Sequence, residues 1–315
     1  MSFVKIIQPG EPGNPHRVPI VDPVGISRKR LDLSYTPDNP HPMRRLDLFL
    51  PEEGDGPFPL LIYMHGGGFV GGLKNDSHVE SYMESLREGF AFVSVEQRLC
   101  SRLPDGGYDP EGLFPYPLFD LKAAIRFLRA NAAQYQLDPE RFALLGTSAG
   151  GYHVAMAAAT QSVPAMYDDS LGFAGVSGCV QAVVDLFGVG DLVLQSAFSD
   201  DVVKNRPDSV PESLRANFAD VFFGAACQTH LNLSYFANPE TWVTPDMPPI
   251  LIQAGAADAV VPIACSRCLA KRVEDVCGKD RVAFDEFADY GHGDPRFHDP
   301  ANHERIFGWL KEKLK

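Results

Sequence analysis

A serine flanked by glycines, Ser148, is the residue of this chain with the clearest potential for chemistry. It lies in the pattern Gly146-x-Ser148-x-Gly150. An apolar run that follows Arg141 precedes this pattern, and an alanine-rich stretch at 152–160 follows it. A strand, a tight turn and a helix in this order are typical of a nucleophile elbow. Its hydroxyl is expected at the carboxyl end of the strand, where the N-terminus of the next helix favours negative charge. Ser148 is therefore predicted to be a nucleophile.

A nucleophilic serine needs a base that takes its proton and an acid that orients the base. The strand, turn and helix around Ser148 resemble the α/β-hydrolase arrangement, which implies that the acid follows the serine along the chain and that the histidine comes last, each after a strand. Asp258 follows the apolar run 249–254. His292 follows the strand predicted at 282–287 and lies between Gly291 and Gly293. We predict that Ser148, His292 and Asp258 form a catalytic triad.

Other residues compete for the acid and base roles, and the sequence leaves them open. Asp289 is close to His292 in sequence, and Asp185 lies at the end of another predicted strand, so both are alternative acids. His298 and His303 are alternative bases, although no strand leads to His298 and His303 falls in the predicted last helix. Asp258 alone or His292 alone could equally be a loop residue without a catalytic role. The two together, in the expected order and after the expected strands, favour a triad.

Backbone N–H groups that stabilise an oxyanion must approach the substrate closely, which favours glycine. The run His65-Gly66-Gly67-Gly68 follows a predicted strand, and no Lys-Ser/Thr follows it in the spacing of a phosphate-binding loop. We predict that Gly67, Gly68 and Ala149 supply the donors, with Gly66 as a weaker candidate. His65 is expected to be a structural hydrogen-bonding residue.

Composition and charge restrict the classes of function. The 315 residues are 45% hydrophobic and 22% charged, an ordinary globular balance, and the net charge of -13 disfavours nucleic-acid partners. The sequence shows neither a signal-peptide pattern nor a run of roughly 18 apolar residues, so we expect a cytoplasmic protein without a membrane partner.

The pattern Cys265-x-x-Cys268 falls in a predicted helix, and the sequence contains no second cysteine pair of this spacing. We expect no cofactor and no metal site.

Strand and helix patterns alternate along most of the chain. Segments 31–35 and 46–50 alternate apolar and polar residues and predict an antiparallel pair. Apolar runs predict buried strands at 59–64, 90–95 and 249–254, and further strands are predicted at 180–187 and 282–287. Helical patterns cover 77–88, 117–136, 152–160, a stretch from 262, and 302–314. This order predicts a single α/β domain over 1–315, with a mostly parallel sheet covered on both faces.

Three segments do not fit the alternation. Residues 1–26 are rich in proline and glycine and are interpreted as an N-terminal arm, and 100–116 form a long loop. Residues 188–243 contain helical fragments and many aromatic residues. We interpret 188–243 as an insertion that covers the active site like a lid.

Four motifs resemble the α/β-hydrolase superfamily: HGGGF at 65–69, GTSAGG at 146–151, GAADAVVP at 255–262 and GHG at 291–293. The nearest resemblance is to carboxylesterases of the hormone-sensitive-lipase-like and the bacterial feruloyl- and acetyl-esterase-like families. It implies an α/β-hydrolase fold and cofactor-free ester hydrolysis by the triad and oxyanion hole named above. Glu96 departs from the family, in which Asp or Asn usually begins the corresponding run.

The predicted function is that of a serine carboxylesterase for short-chain esters, chiefly acetyl esters of sugars or hydroxycinnamates. The short arm differs from the two-helix cap of the lipase-like branch and favours small acyl groups. The expected partner is a small-molecule or oligosaccharide ester, and a homo-oligomer is compatible with the sequence. An amide hydrolase using the same triad and, less favoured, a non-catalytic binding protein remain alternatives.

Overall fold

The computed structural model describes residues 4–12, 14–16, 18–205 and 217–315. The strands of the described chain are β1 Lys5–Ile7, β2 Ile20–Asp22, β3 Lys29–Ser34, β4 Arg45–Phe49, β5 Phe58–Met64, β6 Ala91–Val95, β7 Leu137–Thr147, β8 Ala182–Leu186, β9 Ile250–Gly255 and β10 Val282–Phe287. The α-helices are α1 Val79–Tyr82, α2 Tyr116–Ala130, α3 Ala149–Ala159, α4 Leu192–Asn205, α5 Phe218–Phe223, α6 Leu231–Phe236, α7 Ile263–Cys277 and α8 Pro300–Lys313.

Eight strands form the central sheet, in the order β3-β4-β6-β5-β7-β8-β9-β10. The strand β4 pairs antiparallel with both of its neighbours, and all other pairings in this sheet are parallel. Strands buried on both faces need continuous apolar runs, and in β5 the residues Leu60, Leu61 and Ile62 are fully buried. The sheet is the mostly parallel α/β arrangement that the sequence predicts.

Helices bury their apolar faces against both sides of the sheet. One core cluster includes Leu121 and Ile125 of α2 and Val154 of α3. The cluster on the opposite face includes Tyr82 of α1 and Leu310 of α8. Parallel strands joined by helices place all their carboxyl ends at one edge of the sheet, where loops can bring distant residues together.

Several element boundaries differ from the prediction. The helix predicted over 117–136 ends at Ala130, because the chain turns at Asn131 and enters β7 at Leu137. The helix predicted over 77–88 consists of the single turn α1 and a 3-10 turn, Met83–Leu86. The predicted antiparallel pairing of 31–35 with 46–50 is confirmed by β3 and β4.

The N-terminal arm is attached to the main domain by backbone pairing. Its strands β1 and β2 are antiparallel to each other. The N–H of Val21 donates to the carbonyl of Asn75 over 2.8 Å, and the N–H of Ser77 donates to the carbonyl of Pro19 over 3.0 Å. The arm therefore fixes the segment that leads into α1.

The predicted insertion, 188–243, contains α4, α5 and α6 in its described part. Residues 206–216 of it lie outside the described residues. It contributes Val189, Gln195 and Phe218 to the cavity around Ser148. Its role as a lid stays a prediction, as does that of 1–26 as a separate arm.

Candidate active site

Ser148 occupies a sharp turn between β7 and α3. Its φ of 53° and ψ of -119° are unusual for a residue with a side chain, and such backbone strain is common at functional sites. A Cβ on Gly146 would lie 2.2 Å from the carbonyl oxygen of Gly150, and one on Gly150 would lie 2.1 Å from the carbonyl oxygen of Met64. Both positions therefore require glycine. The geometry is that of a nucleophile elbow.

The structure brings Ser148, His292 and Asp258 into one hydrogen-bonded chain. His292 Nε2 lies 3.0 Å from Ser148 Oγ, and His292 Nδ1 lies 2.7 Å from Asp258 Oδ2. The side chain of His292 is 18% exposed and that of Asp258 is 2% exposed. These contacts let the imidazole take a proton from the hydroxyl while the carboxylate orients the ring.

Backbone donors fix the carboxylate of Asp258. Its Oδ1 accepts hydrogen bonds from the N–H groups of Val260 at 2.7 Å and Val261 at 2.9 Å, which leaves Oδ2 for His292. The ring of His292 also packs edge-on against Phe187, with 5.1 Å between ring centroids. Both groups are therefore held before a substrate arrives.

The alternative acids and bases have other contacts. Asp289 pairs with Arg296 over 2.8 Å, and the buried Asp185 lies in the middle of the sheet, in β8. His298 and His303 both bind the hydroxyl of Ser81, over 3.1 and 2.7 Å. Within the described chain, none of the four forms a hydrogen bond with Ser148 or His292.

The loop after β5 places Gly67 and Gly68 at the cavity beside Ser148. Both have positive φ, 117° and 60°. The N–H groups of Gly67, Gly68 and Ala149 donate no hydrogen bond within the described chain. Ala149 is also the first residue of α3, so its N–H lies at the positive end of that helix. The three N–H groups are therefore available to an oxyanion.

His65 ties this loop to the sheet. Its Nδ1 lies 2.7 Å from the carbonyl oxygen of Gly66 and its Nε2 lies 2.9 Å from Glu96 Oε1, while Glu96 Oε2 accepts the N–H of Lys74 at 3.2 Å. Burial lowers the pKa of His65, but the hydrogen bond and the negative charge of Glu96 outweigh it, and the pKa is raised. Glu96 thus holds both ends of the glycine-rich loop. In the sequence it stands out only as a departure from the family pattern.

Aromatic side chains connect the same loop to the inserted segment 188–243. The rings of Phe69 and Phe222 are stacked with centroids 4.1 Å apart, and Tyr152 of α3 meets both rings edge-on. A Cβ on Gly68 would lie 2.9 Å from the ring of Phe218. His153 belongs to this cluster, and burial lowers its pKa to about 3, so it is a neutral packing residue at neutral pH.

The cavity that contains Ser148 has a volume of about 490 Å³. Apolar residues from the segment 188–243 and from the loops after β8 and β9 line part of it, and polar residues preceding α1 line another part. Concave, mostly apolar cavities with a few placed polar groups are typical of small-molecule sites. Among the described residues, no three His, Cys, Asp or Glu side chains are grouped to hold a metal ion. No described helix combines the length and the apolar character needed to cross a bilayer.

A serine at a strained strand–helix turn, linked to an aspartate and a histidine in the loops that follow two later parallel strands, defines the α/β-hydrolase class. Comparison with known proteins identifies the family within this class. The chain belongs to the BD-FAE family, whose model matches residues 46–273, well over half of the chain.

Two relatives of known sequence are mycobacterial proteins. Esterase LipC of Mycobacterium tuberculosis is 28% identical over 241 residues, which cover 75% of this chain and 53% of LipC. The probable carboxylic ester hydrolase LipM of the same organism is 28% identical over 245 residues, which cover 77% of this chain and 50% of LipM. The chain thus spans about half the length of these curated relatives.

Solved structures share the fold over nearly the whole chain. A truncated carbohydrate esterase from gut microbiota aligns with a TM-score of 0.73 and 25% identity, covering 92% of this chain and 97% of that one. The thermophilic carboxylesterase EstE1, from a metagenomic library, aligns with a TM-score of 0.67 and 22% identity, covering 92% and 90%. The predicted α/β-hydrolase fold and the esterase-family resemblance are confirmed.

Proposed function

We propose that this protein is a serine carboxylesterase that hydrolyses short-chain esters, chiefly acetates. The observation that carries the proposal is the hydrogen-bonded chain from Ser148 Oγ through His292 to Asp258, with distances of 3.0 and 2.7 Å. The esterase names of the relatives support the same reaction, and the acetyl preference follows from the motif resemblance.

In the proposed reaction, Ser148 Oγ attacks the ester carbonyl carbon while its proton passes to His292 Nε2. The negative oxygen that forms accepts hydrogen bonds from the N–H groups of Gly67, Gly68 and Ala149. Collapse of this intermediate breaks the bond to the alcohol oxygen, which takes the proton from His292. Water, deprotonated by His292, then attacks the acyl carbon, the bond to Ser148 Oγ breaks, and Ser148 Oγ takes the proton back from His292 as the acid leaves. Asp258 stabilises the imidazolium in both halves.

The test is hydrolysis of p-nitrophenyl esters from acetate to decanoate by the wild type and by Ser148→Ala. We expect activity to be highest on acetate and to be lost by octanoate. Ser148→Ala should lower kcat by roughly 10⁴–10⁶, as losing a nucleophilic serine does elsewhere. The exposed Ser101, whose hydroxyl makes no hydrogen bond in the described chain, supplies the matched control Ser101→Ala.

Two outcomes contradict the proposal. A Ser148→Ala variant that keeps more than a tenth of the activity excludes Ser148 as the nucleophile, and a maximum at decanoate excludes the short-chain preference. Labelling with a fluorophosphonate, which reacts with activated serines, provides a second measurement. A folded wild type that is neither labelled nor active on any ester would favour the binding-protein alternative.

A further inference from the structure

A glutamine of the inserted segment 188–243 contacts the loop that carries the proposed triad acid. Gln195 lies on α4, is 3% exposed and is one of the residues around the active-site cavity. Its Nε2 donates to the carbonyl oxygen of Val260 over 2.8 Å and to Ser199 Oγ over 3.0 Å. The first of these bonds joins α4 to the loop after β9, which lies 65 residues further along the chain.

The bond to Val260 connects Gln195 to the carboxylate of Asp258. The N–H of Val260 donates to Asp258 Oδ1 over 2.7 Å, and Asp258 Oδ2 lies 2.7 Å from His292 Nδ1. Val260 is therefore held at its carbonyl by Gln195 while its N–H holds Asp258. A displacement of Val260 would reach the imidazole through two hydrogen bonds.

Contacts near the start of α4 fix the position from which Gln195 donates. The N–H of Leu192 donates to Asn238 Oδ1 over 2.9 Å, and Ser196 Oγ donates to Asp220 Oδ1 over 2.8 Å. A side chain that orients a reacting group must itself be held by its surroundings. These two bonds attach α4 to later parts of the same inserted segment and meet that requirement.

The oxygen of the same side-chain amide has no hydrogen-bond partner. Gln195 Oε1 is buried and accepts no hydrogen bond from the described residues. A buried acceptor without a partner lowers stability, whereas methionine has a side chain of similar length and no such acceptor. Packing alone would therefore favour an apolar residue here, and the amide is explained by the donor role of its Nε2.

We propose that Gln195 is a positioning residue for the triad, because its bond to Val260 holds the carboxylate of Asp258 toward the base. The inference rests on the proposed esterase function and adds a residue that none of the sequence motifs contains. It gives the inserted segment a part in the chemistry as well as in the cavity. Since Gln195 acts through Asp258, its loss should slow the reaction without weakening substrate binding.

The first experiment compares Gln195→Met, which lacks the donor, with Ser199→Ala, which removes only the other acceptor of Nε2. We expect Gln195→Met to lower kcat for p-nitrophenyl acetate by about tenfold or more, because small displacements of a catalytic group cost rate. KM should change by less than about twofold, and Ser199→Ala should stay within about twofold of the wild type in both constants.

Two results of this comparison overturn the inference. One is a folded Gln195→Met protein, checked by circular dichroism, whose kcat equals that of the wild type. The other is a change confined to KM, which would make Gln195 a contact of the substrate.

The second experiment is a double-mutant cycle with Asp258→Asn. Residues that act as a unit give effects that do not add. Adding Gln195→Met to Asp258→Asn should therefore lower kcat by less than about twofold. A loss in this background as large as in the wild type would show that Gln195 acts independently of Asp258, and it overturns the inference.

A spectroscopic measurement separates this inference from the proposed function. The Nδ1 proton of His292, which faces Asp258 Oδ2, should give a downfield proton NMR signal without any substrate. We expect Gln195→Met to shift or weaken this signal and Ser199→Ala to preserve it. If the wild type hydrolyses no ester but the signal responds in this way, the proposed function is overturned and the positioning of Asp258 is supported. If the wild type is active and Gln195→Met changes neither the signal nor kcat, only the inference is overturned.

Discussion

At the residue scale, the structure distinguishes two aspartates that look alike in sequence, of which Asp258 is the proposed acid of the triad. Asp258 and Asp289 both lie in loops just after strands. Of the two, only Asp258 forms a hydrogen bond with the imidazole of His292. The side chain of Asp289 is 75% exposed and pairs with Arg296. The two aspartates therefore form a matched pair for testing which carboxylate orients the base.

We predict that Asp258→Asn lowers kcat by about 10⁴, because an amide at this position favours the wrong tautomer of the imidazole. Asp289→Asn should stay within about twofold of the wild type, since surface substitutions of this kind disturb little. Steady-state kinetics on p-nitrophenyl acetate measures both. A larger loss in Asp289→Asn than in Asp258→Asn would reassign the acid.

The contacts of Glu96 with His65 and Lys74 could not be predicted from the sequence. The glycines at 66–68 and the serine at 148 belong to motifs whose backbone requirements are readable in sequence. Glu96 lies about 30 positions from His65, and only the pairing of β5 with β6 brings them together. Asp76 and His298 share no motif either, and they line the same cavity only in the folded chain.

At the scale of elements, the glycine-rich loop after β5 depends on Glu96. We predict that Glu96→Ala lowers kcat by roughly 10², since it frees His65 and displaces oxyanion donors, with a smaller change in KM. Glu96→Gln should retain more activity, because its amide oxygen still accepts a hydrogen bond from His65. The measurement is kcat and KM for all three proteins. An unchanged kcat in Glu96→Ala, with a lower melting temperature, would limit Glu96 to a structural role.

The buried carboxyl of Asp185, in β8, links stability to pH. Burial raises its pKa to about 7, partly offset by a hydrogen bond from the N–H of Gly188, and its Oδ1 has no hydrogen-bond partner among the described residues. The unfolded chain releases this proton near the ordinary value of 3.8. The folded protein therefore binds more protons than the unfolded chain between these values, and its stability falls as the pH rises through this window.

Asp185→Asn removes this dependence, because an amide carries no charge. We predict that the melting temperature of the variant, relative to that of the wild type, rises between pH 5 and pH 8 by about 3 °C or more. Thermal unfolding at both pH values measures it, with the exposed Asp38→Asn as the control. An identical difference at both pH values would show that Asp185 is not held protonated.

At the scale of the whole molecule, most of the framework is predictable from the sequence. Apolar runs predict β5, β6, β8 and β9, because strands covered on both faces leave no polar side. The arm is different, since β1 and β2 are only three residues long and carry no readable period. Their pairing with the segment before α1 comes from tertiary contact, which local sequence does not encode.

The N-terminal arm contacts residues 76–78, which line the active-site cavity. Val21→Pro removes the N–H that donates to the carbonyl of Asn75, so we predict that this part of the cavity lining becomes less ordered. KM for p-nitrophenyl acetate should rise several-fold in this variant. Val24, in the same arm but 62% exposed, supplies the control Val24→Ala. An unchanged KM in a folded Val21→Pro protein would show that the arm does not influence substrate binding.

The stack of Phe69 on Phe222 has a consequence for the order of events on heating. Phe222 belongs to a six-residue helix, while Phe69 follows Gly67 and Gly68, the proposed oxyanion donors, so loosening the helix also releases their loop. Short elements with few partners open at lower free energy than central strands do. Warming should therefore abolish catalysis several degrees below the temperature at which the circular dichroism of the sheet is lost, and cooling from between the two should restore activity in full.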